Sequence, residues 1–151
     1  MNPYEFFSKS ADETKAFAAR LAKELRPGDV ITLEGNLGAG KTTFTKGLAK
    51  GLNIKRTVNS PTFTIIKEYE GTYPLYHIDA YRLEDYEEDL GFDEYFDGDG
   101  ITVVEWAEFI EEEMPDDRLN IQISYADNDG RLVALYPAGE RYEKLCRELM
   151  E

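Results

Sequence analysis

Residues 30–48, VITLEGNLGAGKTTFTKGL, place a β-branched run, a glycine-rich turn and an amphipathic stretch in immediate succession. The first five residues suit a short buried strand. Residues 41–51 suit a helix with Phe44, Leu48 and Leu52 inward. Between them, residues 35–42 are G-N-L-G-A-G-K-T, which satisfies G-x-x-x-x-G-K-[ST]. Glycines permit backbone conformations that turn successive N–H groups around an oxyanion, and the following helix presents the positive end of its dipole to it. A chain with this segment is therefore expected to fold as an α/β protein that holds a nucleotide. Gly35, Asn36, Leu37, Gly38, Ala39 and Gly40 form the loop, and Lys41 adds a cation for the outer phosphates. The Thr42 hydroxyl is placed to ligate magnesium. Thr43 is either a neighbour of the phosphate chain or a plain helix-start residue.

A phosphate cradle binds, whereas hydrolysis also needs an acid to manage the metal and the attacking water. Two acids follow apolar strand-like runs: Asp79 after YPLYHI and Glu105 after ITVV. Each is a candidate metal-side or catalytic carboxylate, and a capping or surface acid is the competing explanation of each. His77, the one histidine, alternates with Asp79 along the strand, so both can face the same side. A packed or hydrogen-bonded structural role is a better reading of it than a catalytic one.

Elsewhere, Phe17, Leu21 and Leu25 recur at helical spacing beside Ala18 and Ala22, with Ser10 or Asp12 as the cap and RPGD as the stop. TFTIIKEYEG and YPLYHIDAYRL read as neighbouring antiparallel strands around Gly71. EDYEEDLGFDEYF suggests short helical segments broken near Gly91. GITVVEW reads as a strand and AEFIEEEM as a short helix stopped by Pro115. LNIQISYA and RLVALYP flank DNDG, a strong hairpin signal. The tail repeats Tyr142, Leu145 and Leu149 at helical spacing. No internal repeat, linker or low-complexity tract interrupts the 151 residues, so one domain is expected.

Charge is unevenly placed in this chain of net charge −14. Residues 1–67 carry 11 Lys/Arg against 6 Asp/Glu, whereas residues 84–117 carry 16 acids and neither Lys nor Arg. Such an acidic face argues against direct, tight binding of nucleic acid. It reads as a solvated surface first and as a docking surface for a basic partner protein second. The single cysteine, Cys146, excludes an internal disulfide framework and fits a reducing cytoplasm. No membrane span or signal peptide is expected.

LEGNLGAGKTTFTKGLAKGL, VNSPTFTIIKEY, LYHIDAYRL, LGFDEYF and VVEWAE, in this order, closely resemble the TsaE (YjeE) family of bacterial P-loop ATPases. The resemblance runs from about Thr14 to the tail. It is specific, because the S-P-T, H-x-D-x-Y-R and E-W elements are not general features of P-loop proteins. It implies a single-domain P-loop NTPase fold with a mixed central sheet flanked by helices, and ATP or ADP with Mg2+ as cofactors. The implied role is a cytoplasmic ATPase needed for threonylcarbamoyl modification of the adenosine beside the anticodon in tRNAs that read codons beginning with A. TsaE-like proteins do not make the threonylcarbamoyl-adenylate; they act on the TsaB–TsaD complex, so tRNA is an indirect partner.

Carried onto these residues, the resemblance puts Lys41 on the phosphates and Thr42 on magnesium. It makes Ser60, Pro61 and Thr62 a switch-like segment near the outer phosphate, with a plain turn as the alternative. Asp79 falls in the second switch, and Glu105 is the acid for magnesium or for activating water. Trp106 would pack near the site or against a partner. Ser10 and Thr14 fall near the adenine, Arg131 near the nucleotide, and Arg82 is either structural or responsive to the partner. Two other readings compete. One is a nucleotide-dependent assembly switch with incidental hydrolysis. The other is a small-molecule kinase, disfavoured because no arginine-rich lid follows the loop. The absence of N-K-x-D disfavours a GTPase.

Overall fold

The computed structural model describes residues 3–35, 40–58, 66–83 and 92–150, the side chains of Arg82, Leu83 and Asp93 excepted. Along them run β1 (Tyr4–Ser8), α1 (Ala11–Glu24), β2 (Val30–Gly35), α2 (Lys41–Gly51), β3 (Ile66–Tyr69), β4 (Leu75–Asp79), α3 (Phe92–Phe96), β5 (Ile101–Glu105), β6 (Arg118–Tyr125), β7 (Arg131–Ala138) and α4 (Glu140–Leu149). Two 3-10 segments, Ala80–Leu83 and Ala107–Glu113, follow β4 and β5.

The strands form a seven-stranded sheet in the order β1-β7-β6-β2-β5-β4-β3. β2 pairs parallel with both β5 and β6, and β4 pairs parallel with β5. The outer pairs β1–β7, β6–β7 and β3–β4 are antiparallel. Parallel neighbours need crossovers, whereas short connections force hairpins, and the sequence supplies both. In the β6–β7 hairpin, Asn128 and Asp129 take positive φ (59° and 63°), as the D-N-D-G signal requires.

Every residue of β5 is buried, as are the first four of β2, which accounts for their apolar, unalternating sequences. On one face Ile31, Leu33 and Val103 join Phe17, Leu21, Phe44, Leu48, Tyr142 and Leu145, so α1, α2 and α4 share one core. On the other face Val30, Ile78 and Val104 pack with Phe92 and Phe96 of α3 and with Ala107 and Ile110. α4 is tied in by polar contacts as well. The Tyr142 hydroxyl accepts from the Val30 N–H at 3.0 Å and donates to Asp29 Oδ1 at 3.2 Å, while Arg141 donates to Asp29 Oδ2 at 2.8 Å. Cys146 is buried beside them, and burial, then the charge of Glu143, pushes its thiol up to about 12, so it is not a nucleophile at neutral pH.

The expected strands and helices are present where they fall on described residues, with three departures. The strand read over YPLYHIDAYRL stops at Asp79, whose carboxylate accepts from the Tyr81 N–H, and Ala80–Leu83 continues as a 3-10 segment. β1 has no counterpart in the sequence reading. It exists because Phe6 stacks on Phe17 (4.4 Å between ring centroids) while its backbone pairs along β7 as the edge strand of the sheet. AEFIEEEM forms a 3-10 segment rather than an α-helix, with a break at Ile110 (φ −131°, ψ 30°).

α1 and α2 pack closely enough to require glycine. A Cβ on Gly47 would lie 2.5 Å from the Lys15 carbonyl oxygen and 2.7 Å from the Ala18 Cβ. Alanine gains about 1 kcal/mol of helix propensity there, but overpacking against backbone costs about 1–3 kcal/mol, so the clash dominates. Gly47→Ala is therefore expected to lower the midpoint of urea unfolding; an unchanged or raised midpoint would contradict the packing described.

Candidate functional site

The site is built at the carboxyl ends of the parallel strands, where β2 ends, α2 begins and β5 turns. In the parallel register Leu33 lies opposite Glu105, and Asp79 of β4 lies opposite Glu105 on its other side. β4 and β5 therefore stop level with one another, and β2 runs two residues further, to Gly35. α2 starts at Lys41 directly after Gly40, whose φ of 113° a side-chain-bearing residue rarely adopts. Gly40 carries no capping side chain of its own. A helix start, with its N–H groups and the positive end of its dipole, is a place that can receive an external anion.

Lys41 and Glu105 meet at this edge, Nζ to Oε1 at 3.4 Å. The Lys41 ammonium also lies 5.0 Å from the centre of the Trp106 ring, in cation–π range. On the other side of the carboxylate, His77 Nε2 sits 2.6 Å from Glu105 Oε2. Burial pushes the Glu105 carboxyl up, but the hydrogen bond and charge of His77, with Lys41 behind them, outweigh it and hold Glu105 below the usual carboxylate range.

Trp106 turns the chain directly after Glu105 with φ 61° and ψ 42°, a left-handed conformation that is an outlier for an aromatic residue. Such a backbone costs about 1–3 kcal/mol and concentrates at functional sites. Its ring lies 5.1 Å from Tyr81 and 6.3 Å from Phe109, centre to centre, and Trp106 and Tyr81 remain partly exposed. A cavity of about 340 Å³ opens here, lined by Leu33, Glu34, Gly35, Lys41, Trp106, Glu108, Gln122, Ile123 and Ser124. Glu34, Glu108, Gln122 and Ser124 carried no motif signal; Gln122 donates to Glu34 at 3.2 Å across the β2–β6 pair, a contact only the register creates.

The remaining sequence candidates divide. Arg131 is brought to the loop: its Nε lies 4.0 Å from where a Cβ on Gly40 would stand, and its guanidinium stacks on Tyr125 at 4.5 Å. Ser8 pairs with Arg131, which sets the start of α1 beside this hairpin. There the Ser10 hydroxyl caps α1 by accepting from the Glu13 N–H at 3.1 Å. Thr14 is 1% exposed, its hydroxyl shared with Ser8 at 2.6 Å. Asp79 is half-buried and accepts from the Tyr81 N–H at 3.1 Å. Thr42 and Thr43 lie in the first turn of α2. Asn36, Leu37, Gly38, Ala39, Ser60, Pro61 and Thr62 lie outside the described residues, as does the Arg82 side chain.

Among the described residues no three His, Cys, Asp or Glu side chains are gathered as a ready-made metal cage. The level strand ends of Asp79 and Glu105, with Thr42 in the first turn of α2, offer oxygen donors only. That set suits magnesium, which takes one or two carboxylates and completes its shell with water and substrate phosphates.

Fold and site together define a single-domain α/β protein with a mixed seven-stranded sheet flanked by helices. The family model described as threonylcarbamoyl adenosine biosynthesis protein TsaE matches residues 8–133. The chain is 57% identical to the tRNA threonylcarbamoyladenosine biosynthesis protein TsaE of Bacillus subtilis over 150 residues, covering 99% of this chain and 95% of the relative. It is 38% identical to the TsaE protein of Treponema pallidum over 130 residues (85% and 96%). The crystal structure of Bacillus subtilis YdiB superposes with a TM-score of 0.87 at 51% identity, covering 98% of this chain and 94% of that one. The chain belongs to the TsaE family. No helix among the described residues is long and apolar enough to cross a membrane.

The Glu105 shift carries a pH signature. A carboxylate whose folded pKa lies below its unfolded value adds stability at pH above the unfolded value, near 4.5, and loses it as pH falls through the folded one. The difference in unfolding free energy between wild type and Glu105→Gln is expected to shrink as pH falls below about 4.5. Urea titrations at a series of pH values read it; a difference that grows on acidification would contradict the arrangement.

Proposed function

We propose that this protein binds and hydrolyses Mg–ATP and that the cycle serves threonylcarbamoyl modification of tRNA adenosine. The observation that carries the proposal is the meeting of Lys41 and Glu105 at the start of α2, in a chain of this family. In this reading residues 35–43 surround the phosphates, and Lys41 turns from Glu105 to the outer phosphate oxygens. Thr42, Asp79 and Glu105 hold magnesium, which when bound neutralises charge on the phosphates. Glu105, released from Lys41, orients the attacking water or the metal's water. Trp106 closes the phosphate end of the cavity, and Arg131 flanks the loop from the hairpin side. Ser10 and Thr14 border the nucleotide through the position of α1 rather than through free hydroxyls, since both hydroxyls already have partners.

The partners are proposed to be the TsaB and TsaD proteins acting as a complex, with tRNA reached only through them. Net charge −14 supports this indirect route, because phosphates approaching the acidic side would be repelled. The reaction is placed in the cytoplasm. A nucleotide-dependent assembly switch with slow hydrolysis uses the same residues and remains the second reading; the exposed ring of Trp106 against Lys41 favours it, since phosphate binding would be felt at the surface.

Lys41→Ala is expected to lower hydrolysis at least about 100-fold, the scale of losing one preorganised charge-stabilising donor. Glu105→Ala should retain ATP binding and lose about 100-fold in turnover, as for a general acid–base group. Threonylcarbamoylation reconstituted with TsaB, TsaD and the adenylate should fail to turn over repeatedly with either variant. Full modification by Glu105→Ala, with its ATPase lost, would select the switch reading.

A further inference from the structure

His77 is the deepest polar group near the site and is not used in the cycle above. Its side chain is fully buried, and among the described residues its ring makes one hydrogen bond, Nε2 to Glu105 Oε2 at 2.6 Å. Among the described residues its other nitrogen, Nδ1, is buried without a hydrogen-bond partner. A histidine kept for packing alone would have both nitrogens satisfied or be replaced by an apolar residue, because an unpaired buried nitrogen is a net loss. Here the loss is accepted to keep one donor on one carboxylate oxygen.

The register explains why that donor reaches only Glu105. His77 lies opposite Val103 in the β4–β5 pair, one pleat before Asp79 and Glu105, with all four side chains on the α2 face. The ring therefore points along the sheet face towards the strand ends. A carboxylate is an acceptor only, so Nε2 carries the proton of this bond. Glu105 is gripped at Oε2 by a buried strand residue and at Oε1 by Lys41, a side chain that must move when phosphate arrives. Without His77, the carboxylate is free to rotate about its terminal torsion and follow Lys41.

We propose that His77 is the positioning residue of this site: by fixing Oε2, it keeps Glu105 facing the reacting phosphate and its metal when Lys41 departs. This rests on the Mg–ATP reading above and assigns a task within it. His77 touches neither nucleotide nor metal; it acts through Glu105.

Two polar replacements separate the role from mere packing. The amide nitrogen of His77→Gln reaches the place of Nε2, whereas that of His77→Asn stops short. With both variants shown to be folded by thermal melting, His77→Gln is expected to keep kcat within about threefold of wild type, and His77→Asn to lose about 10- to 100-fold in kcat, the range for an outer-shell partner of a reacting group. KM for ATP should be unchanged in both. Equal kcat in the two variants, or a loss confined to KM, would overturn the assignment. Failure of the ATPase reading itself shows differently, as wild-type protein that never turns over ATP. The proposal is then decided by magnesium: the concentration giving half-maximal binding of a non-hydrolysable ATP analogue should rise in His77→Asn and stay at the wild-type value in His77→Gln. Equal concentrations in the two would overturn it.

Discussion

Glu105 ends β5 opposite Leu33 of β2 and Asp79 of β4, and this parallel register is the constraint on which the site depends. Parallel strands that end level put their last side chains on one edge. The helix that follows β2 starts at that same edge, so its first residue, Lys41, can reach a carboxylate 64 positions later in sequence at 3.4 Å. Shift β5 by one residue and every side chain changes face. Glu105 would then point towards Phe92 and Phe96, and Val104 towards the start of α2. The apolar burial of β2 and β5 on both faces is what prevents that slip.

The charges at this edge are balanced in pairs. Glu105 lies between Lys41 and His77, and Lys41 between Glu105 and Trp106. In the proposed cycle the departure of Lys41 towards phosphate would leave both of these partners changed. Trp106 would pass that change to the surface, because its strained backbone fixes the ring over Lys41 while leaving it partly exposed. The proposed signal to a partner thus needs no long path. It is one side chain exchanging a carboxylate and a ring for a phosphate.

Much of this was legible in sequence. The bounds of α2 coincide with expectation because Gly40 takes a backbone angle open to glycine and Lys41 begins the amphipathic repeat. Phe17, Leu21 and Leu25 are buried as their spacing requires, and the hairpin turns at D-N-D-G. β1 was not legible: five residues on an edge carry no pattern of their own, and their reason is the Phe6–Phe17 stack across the fold. The break at Ile110 was equally silent. At the site, Lys41, Asp79 and Glu105 stood out as a motif and as acids ending strands. His77 reads from sequence as packed or hydrogen-bonded, and it is buried and hydrogen-bonded; that its partner among the described residues is Glu105 follows only from register. Glu34 and Gln122 gave no signal for the same reason.

The central claim is that Lys41 exchanges Glu105 for phosphate while His77 holds Glu105 in place. A crystal structure of the protein with magnesium and a non-hydrolysable ATP analogue tests it most directly. The account predicts Lys41 Nζ on an outer phosphate oxygen and apart from Glu105, with the 2.6 Å contact between His77 and Glu105 retained. A structure in which nucleotide is bound with Lys41 still paired to Glu105, or with Glu105 turned away from His77, would contradict it.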